Sequence, residues 1–270
     1  MAKKERLDNI LVNKGFFETK SKAQAAIMAG DVIVNDEKIT KAGFQLEFKE
    51  TTRIEVKTMP FVSRGGFKLD KAVKVFDIDL KDKVCLDAGA STGGFTDCML
   101  QRGAKKVYSV DVGYGQLAWK LRNDDRVKVI ERVNIRNCIP EEIYSEEDEK
   151  PTFCAMDLSF ISITKVLENI LNLMQSGEKT IMALIKPQFE AGKDEVGKNG
   201  VVREKETHIK VIKNVIDFAS SIGLYAVALD YSPIKGPAGN IEYIVLFSTN
   251  EDKKVDINIH EIAQKSSIEL

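Results

Sequence analysis

Residues Val84–Asp97 read VCLDAGASTGGFTD. An apolar run closes on Asp87, Gly89 turns the chain, and Gly93-Gly94 open a helical pattern that continues to Arg102. This is strand, glycine turn, helix. Glycines at such a turn let backbone amides approach a ligand, and the helix N-terminus behind them favours a negative group. The spacing is not the G-x-G-x-x-G of a dinucleotide site. The next apolar run, Lys106–Asp111, again ends in an acid, placed to hold two ribose hydroxyls.

The pattern repeats outward. Strands are predicted at Val84–Asp87, Lys106–Asp111, Val127–Glu131, Thr152–Asp157, Thr180–Lys186, Tyr225–Tyr231 and Ile241–Phe247. Helices are predicted near Thr96–Arg102, Gly115–Leu121, Ile163–Met174 and Glu204–Ser220, with one before the first strand in RGGFKLDKAVKVF. Such alternation implies an α/β fold, a seven-stranded and mainly parallel sheet with helices on both faces. The last two strands are joined by a Gly/Pro loop with no helix, so they pair antiparallel. EEIYSEEDEK (141–150) reads as an exposed acidic loop.

Composition narrows the classes. The chain has 270 residues, 43% hydrophobic and 30% charged, ordinary for a globular protein. No apolar run approaches the roughly 20 residues of a membrane helix. MAKKERLDNI has no apolar signal core, so a cytoplasmic location is expected. The four cysteines are scattered with no Cys-x-x-Cys, which argues for free thiols and against a metal site. The two histidines lie away from any strand end or glycine turn, and His208 is expected on a helix surface. Residues 1–75 hold 15 Lys and Arg against 10 Asp and Glu; the rest hold 25 against 31. A basic front on an acidic body concentrates polyanion binding at the front.

That front reads as a small unit of two helices and short strands. Leu7, Ile10 and Leu11 have helical spacing closed by Gly15. Thr19 caps a second helix and Gly30 ends it. Val32 and Val34 lead into an Asn-Asp turn, and TRIEVKT is another strand. Arg6-Leu-Asp, Ser21-Lys22-x-x-Ala25 and Gly30-x-Val32-x-Val34-Asn35 resemble the S4 RNA-binding domain. The resemblance implies RNA contacts at Arg6, Lys20, Ser21, Lys22, Gln24 and Lys41. It divides the chain into an S4-like domain (1–58), a linker (59–64) and a catalytic domain (65–270). A solvated lysine-rich helix face is the plain alternative.

The Asp-x-Gly-x-x-x-Gly-Gly turn with an acid ending the second strand resembles the S-adenosylmethionine site of Rossmann-like methyltransferases. The resemblance implies cofactor contacts at Asp87, Gly89, Ala90, Ser91, Gly93, Gly94, Phe95, Asp111, Asn134 and Asp157. The methionine carboxylate would lie at the turn, the ribose at Asp111 and the adenine near Asn134.

TIMALIKPQFEAGK (180–193) ends a strand in Lys186, with Pro187 forbidding its continuation. Asp157 ends a neighbouring strand, Glu242 begins the reversed last strand at the same edge, and Lys68 lies on the helix before the sheet. Singly, each has a plain reading: a solvated strand end, a helix cap, an edge-strand charge, a surface lysine. Together they suit transfer of a methyl group to a ribose 2′-hydroxyl, which must lose its proton as it attacks. A lysine takes that proton only when neutral, a state favoured by burial or a neighbouring cation such as Lys68. The order Lys68–Asp157–Lys186–Glu242 resembles the catalytic set of FtsJ-like 2′-O-ribose methyltransferases. VSRGGFKL, DVGYGQL, MDLSFIS, LIKPQFEAGKDEVGKNGVV and GPAGNIEY, behind an S4-type unit, make the resemblance to the TlyA family span nearly the whole chain. It implies an S-adenosylmethionine-dependent enzyme acting on cytidine in the RNA of ribosomal subunits, without metal, with Arg64 guiding RNA. The family often has a Trp-containing linker before Ser-Arg-Gly; this chain has Met-Pro-Phe. Some members carry a haemolysin label, which leaves a membrane-lytic protein and a non-catalytic RNA-binding protein as the other readings.

Overall fold

The computed structural model describes residues 4–17, 19–49, 51–56 and 59–270, and the chain divides into two compact units, Met1–Pro60 and Phe61–Leu270. The domain boundary expected at residue 58 lies outside the described residues.

The first unit runs β1 (Glu5–Arg6), α1 (Leu7–Asn13), α2 (Lys20–Ala29), β2 (Val32–Val34), β3 (Glu37–Ile39), β4 (Gln45–Leu46) and β5 (Ile54–Val56). Leu7 and Leu11 from α1 meet Ala23 and Ile27 from α2 over Val32, all fully buried. Thr19 Oγ1 accepts from Lys22 N, and Gly30 closes α2 in the left-handed region. Asn35 and Asp36 both have positive φ, the two-residue turn that matches the twist of the β2–β3 hairpin. β2 is the centre of an antiparallel β3–β2–β5 sheet, and β1 pairs with β4.

The second unit runs α3 (Gly65–Val75), β6 (Val84–Ala88), α4 (Gly94–Gln101), β7 (Lys106–Asp111), α5 (Trp119–Arg122), β8 (Val127–Glu131), α6 (Pro140–Ile143), β9 (Phe153–Met156), α7 (Leu167–Leu173), β10 (Thr180–Ile185), α8 (Pro187–Glu190), α9 (Lys205–Ser221), β11 (Tyr225–Tyr231), β12 (Tyr243–Ser248) and α10 (Ile259–Glu269). Its seven strands lie in the order β11-β12-β10-β9-β6-β7-β8. β12 runs against both neighbours; the other pairings are parallel. Alternate residues feed opposite faces. Leu86, Ile181, Ala183 and Ile185 pack with α7 and α9, while Cys85, Met182 and Leu184 pack with α3 and α4. Burial on both faces is why these strands read as continuous apolar runs. From β6 the chain winds outward through β7 and β8, then returns to place β9 on β6's other side. The reversal opens a crevice beyond the carboxyl ends of β6 and β9.

Some expectations give way. The helix expected over Gly115–Leu121 shrinks to α5, because Gly115 has positive φ and residues 112–118 form a loop. The acidic segment 141–150 is not wholly exposed: Ile143 and Tyr144 are buried, and Asp148 accepts from Lys128 Nζ at 2.7 Å. His208 is buried, its ring 2.9 Å from Tyr243 Oη and 3.1 Å from the Val202 carbonyl. Burial lowers its pKa. Phe61 is buried against Phe67, and Val62 N donates to Asp97, so the end of the expected linker packs with the second unit's core. α10, capped by Asn258, is not among the expected helices.

Candidate active site

The rim of the sheet is assembled from strand ends. Asp157 is one residue past β9, its N–H donating to the Ala88 carbonyl at 3.1 Å. Gly89, with φ +90°, lets β6 end close beside it; a Cβ there would lie 2.7 Å from the Asp157 carbonyl oxygen. Lys186 is one residue past β10, where Pro187 begins α8. Ile185 pairs with Tyr243 across the antiparallel step, so Lys186 and Glu242 are next in register. Glu242 immediately precedes β12 rather than opening it. Lys68 comes from the first turns of α3, which crosses close to α4: a Cβ on Gly94 would meet Gly66 N at 2.7 Å.

These four side chains form one chain of ion pairs. Lys186 Nζ is 2.5 Å from Asp157 Oδ1, Lys68 Nζ is 3.2 Å from Asp157 Oδ2, and Lys68 Nζ is 2.7 Å from Glu242 Oε2. Lys186 Nζ also donates to Ser159 Oγ at 3.0 Å. Lys68, Lys186 and Glu242 are buried, and two ammonium groups balance two carboxylates. Burial pushes the Asp157 carboxyl up, but the Lys186 and Lys68 ammonium groups overcome it and hold it below the usual carboxylate range. Burial likewise works to discharge Lys68, and Asp157 and Glu242 outweigh it, lifting its pKa above the ordinary lysine value. Asp157 thus stands between the two amines as their shared counter-ion.

Two cavities open on this rim. One of about 310 Å³ is lined by Arg64, Lys68, Gly89, Ala90, Ser91, Gly94, Phe95, Asp157, Lys186 and Glu242 among others. The second, about 530 Å³, is lined by Asp111, Asn134 and an apolar wall of Val112, Val133, Ile135, Leu158 and Ile161. Gly89, Ser91, Asp157 and Ser159 border both, so the cavities are two lobes of one cleft. Asp111 is fixed in place: Oδ2 accepts from Ser91 N (2.8 Å) and Oδ1 from Gly113 N (2.7 Å). Their remaining lone pairs can accept further hydroxyls.

Two of the expected cofactor residues line neither lobe. Gly93 is filled in by Leu117 and Leu121, so its φ of +94° serves the packing of the turn. Asp87 is fully buried; its Oδ2 accepts from Thr96 N (2.8 Å) and Thr96 Oγ1 (2.6 Å), and it pins the first turn of α4. Burial pushes its carboxyl up to about 7, against the two Thr96 hydrogen bonds. A raised carboxyl pKa favours folding while the proton is kept. The unfolded chain ionises above about 4 and the folded one only near 7, so this group's contribution falls across that window. Asp87→Asn should therefore gain stability relative to the parent as pH rises from 4 to 8. Denaturant unfolding of both proteins across that range checks it; a flat difference would rule it out.

The sequence did not mark Ser159 or Phe160 for function. Phe160 is 90% exposed, has φ +65°, and lies in the cleft wall with its ring 5.1 Å from that of Phe189. An exposed aromatic held in a sparsely populated backbone region points to use rather than packing. The signal available was an aromatic in the loop directly after the Asp157 strand. Arg64 lines the first lobe. In the first unit, Ser21, Lys22 and Lys41 are exposed, whereas Arg6, Lys20 and Gln24 gather around Asp8.

Comparison with known proteins agrees with this architecture. Residues 61–249 match the FtsJ-like methyltransferase family, and residues 5–51 match the S4 domain. A 16S/23S rRNA (cytidine-2′-O)-methyltransferase, TlyA of Mycobacterium tuberculosis, is 41% identical over 256 residues, covering 94% of this chain and 93% of that one. Hemolysin A of Brachyspira hyodysenteriae is 46% identical over 243 residues, covering 90% of this chain and 99% of its own. A solved structure from Streptococcus thermophilus whose name carries the word hemolysin superposes with a TM-score of 0.76 at 41% identity, covering 100% of this chain and 98% of that one. With its seven-stranded sheet, its cleft at the strand ends and this likeness over nearly its full length, the chain belongs to the FtsJ-like methyltransferase family.

Proposed function

We propose that the chain transfers a methyl group from S-adenosylmethionine to a ribose 2′-hydroxyl of ribosomal RNA, on cytidine, as its TlyA relative is named to do. The observation that carries this reading is the linked Lys68–Asp157–Lys186–Glu242 cluster at the junction of the two lobes.

The cleft fits the cofactor in parts. Asp111 offers a carboxylate already oriented by two amides for a pair of ribose hydroxyls. The apolar wall beside Asn134 suits a purine. Ser91 and the N-terminus of α4 suit a carboxylate. When bound, S-adenosylmethionine supplies an electrophilic methyl on a positively charged sulfur, and Asp157 supplies negative charge where the lobes meet.

The chain's own work is then positioning and one proton. Lys186 Nζ, once it has given up its own ammonium proton to solvent, accepts the proton of the attacking hydroxyl; Asp157 and Ser159 hold the amine in one direction. Lys68 and Glu242 fix Asp157 from the other side. Alignment of this kind supplies several kcal/mol of a displacement barrier. Arg64 at the mouth meets phosphate, and the exposed Phe160 ring offers a surface on which a nucleobase stacks. Among the described residues no helix is long and apolar enough to cross a membrane, and no feature of the cleft favours lysis.

The test has two arms. S-adenosylhomocysteine at about 100 times its Kd should raise the melting temperature by roughly 5–10 °C, the shift expected for a domain of this size. NAD should leave it unchanged, and Asp111→Ala should remove the shift. Ribosomal RNA incubated with protein and S-adenosylmethionine should gain 2′-O-methyl groups at discrete nucleotides. Cofactor binding without methyl gain would leave an RNA-binding protein in place of the enzyme.

A further inference from the structure

The face of the first unit expected to meet RNA holds an acid at its centre. Asp8 lies in the first turn of α1 and is fully buried. Its Oδ1 accepts from Arg6 Nε at 3.0 Å, and its Oδ2 from Arg6 Nη2 at 2.6 Å and Gln24 Nε2 at 2.7 Å. Lys20 Nζ stands 4.0 Å from the same oxygen. Three of the residues expected to contact RNA, from β1 and α2, thus converge on one carboxylate. The Arg6 hydrogen bonds hold it down at about 2 against the effect of burial, so it is charged wherever RNA is a polyanion.

Counted as charge alone, Asp8 is a liability. It offsets the charge of Arg6 and Lys20, and phosphate affinity rises with each cation presented. Its return is geometric. Arg6 has five N–H donors. Two are tied to Asp8, which orients the guanidinium and leaves three to point elsewhere. The group also lies against Gly43, where a Cβ would be 3.3 Å from Nη1. The Arg6 and Lys20 side chains remain 40% and 49% exposed, so the array is held from beneath and open above. Long cationic side chains lose rotamer freedom on binding, and an array ordered in advance has less to lose.

We propose that Asp8 is a positioning residue that sets Arg6, Lys20 and Gln24 in a fixed array, selecting folded ribosomal RNA over an unstructured polyanion. This rests on the reading of the first unit as the RNA-binding face. Charge and geometry predict opposite signs for Asp8→Asn. The full chain is titrated with ribosomal RNA and with poly(U) at one salt concentration. Positioning predicts ribosomal RNA affinity about tenfold weaker, with poly(U) affinity equal or tighter, so that the specificity ratio collapses. Asp8→Glu keeps the charge but moves it by one methylene, and it should restore part of the ratio. If hydrogen exchange shows that Asp8→Asn melts α1 and α2, Asp8→Glu carries the test alone, and a ratio equal to the parent's overturns the proposal. With Asp8→Asn folded, ribosomal RNA binding as tight as the parent's or tighter overturns it, provided Arg6→Ala is weakened. If Arg6→Ala binds as the parent does, the RNA-face reading fails and the positioning role falls with it.

Discussion

Lys186→Ala should lower kcat for methyl transfer to ribosomal RNA by about 10²–10⁴-fold, the contribution of a positioned general base. Each tenfold corresponds to roughly 1.4 kcal/mol of transition-state stabilisation. The loss should appear in kcat and not in cofactor affinity, because Lys186 lines the first lobe and not the Asp111 lobe, and Asp157 keeps its contact with Lys68 when Lys186 is removed. Lys186→Arg divides the possible roles. It keeps a cation beside Asp157 but stays protonated at all working pH values, so it cannot accept the hydroxyl proton. If Lys186 served only to balance Asp157, Lys186→Arg would retain most of the rate. If it takes the proton, both variants are equally dead. Single-turnover methylation with saturating S-adenosylmethionine, beside calorimetric binding of S-adenosylhomocysteine, separates these results. An active Lys186→Arg protein would remove the base role.

Sheet order and site location differ in how far the sequence reaches. β7, β8 and β11 are readable to the residue: β7 as an apolar run buried on both faces, and the half-buried edge strands β8 and β11 as short apolar-rich runs bounded by polar turns. The rim was readable for a related reason: a charged residue closing such a run has no place inside, so Asp157 and Lys186 mark where the sheet ends. The same logic fails at Asp87. Asp87 and Asp111 both end an apolar run in the sequence, and both stand two residues before a glycine. Only Thr96, brought over Asp87 by the turn of α4, makes one an internal anchor while the other faces the cleft. His208 and Phe160 fail in opposite directions. A histidine that follows Lys205, Glu206 and Thr207 gives no local sign that Tyr243 and the Val202 carbonyl will enclose it. Nor does a phenylalanine among apolar residues show that it will stand outside. Both depend on contacts far along the chain. Asp8 belongs with them, since an Arg-Leu-Asp triplet does not show that Gln24 will close over the acid.

Lys68→Met should destabilise the second unit by about 3–5 kcal/mol, because it strands a buried carboxylate. Glu242 is 1% exposed, and Lys68 is the partner its Oε2 has among the described residues. For a domain of about 200 residues the melting temperature should fall by roughly 10 °C or more. Glu242→Leu should cost a similar amount by leaving Lys68 with Asp157 alone. The double variant is the informative one. Two apolar side chains of matching size in place of the pair should recover most of the loss, since exchanging a buried ion pair for hydrophobic groups is often neutral. The two single effects would then be far from additive, with a coupling energy of about 1–3 kcal/mol or more. Activity should not follow stability. In the double variant Asp157 is held only by Lys186, so the amine has lost the fixed counter-ion that orients it, and kcat should stay depressed in a protein that melts near the parent. The sign of the pH dependence is set by the raised pKa of Lys68. Its stabilising contribution is complete below the unfolded-state lysine pKa of about 10.4 and is lost only as pH rises through the higher folded value. Titration of Lys68 should therefore add no pH dependence to the parent's stability from pH 6 to 9. Thermal melts and single-turnover rates on the four proteins of the cycle check both halves. A double variant that regains rate together with stability would show that Lys68 and Glu242 serve the fold alone, and would leave Asp157 and Lys186 as the whole of the chemistry.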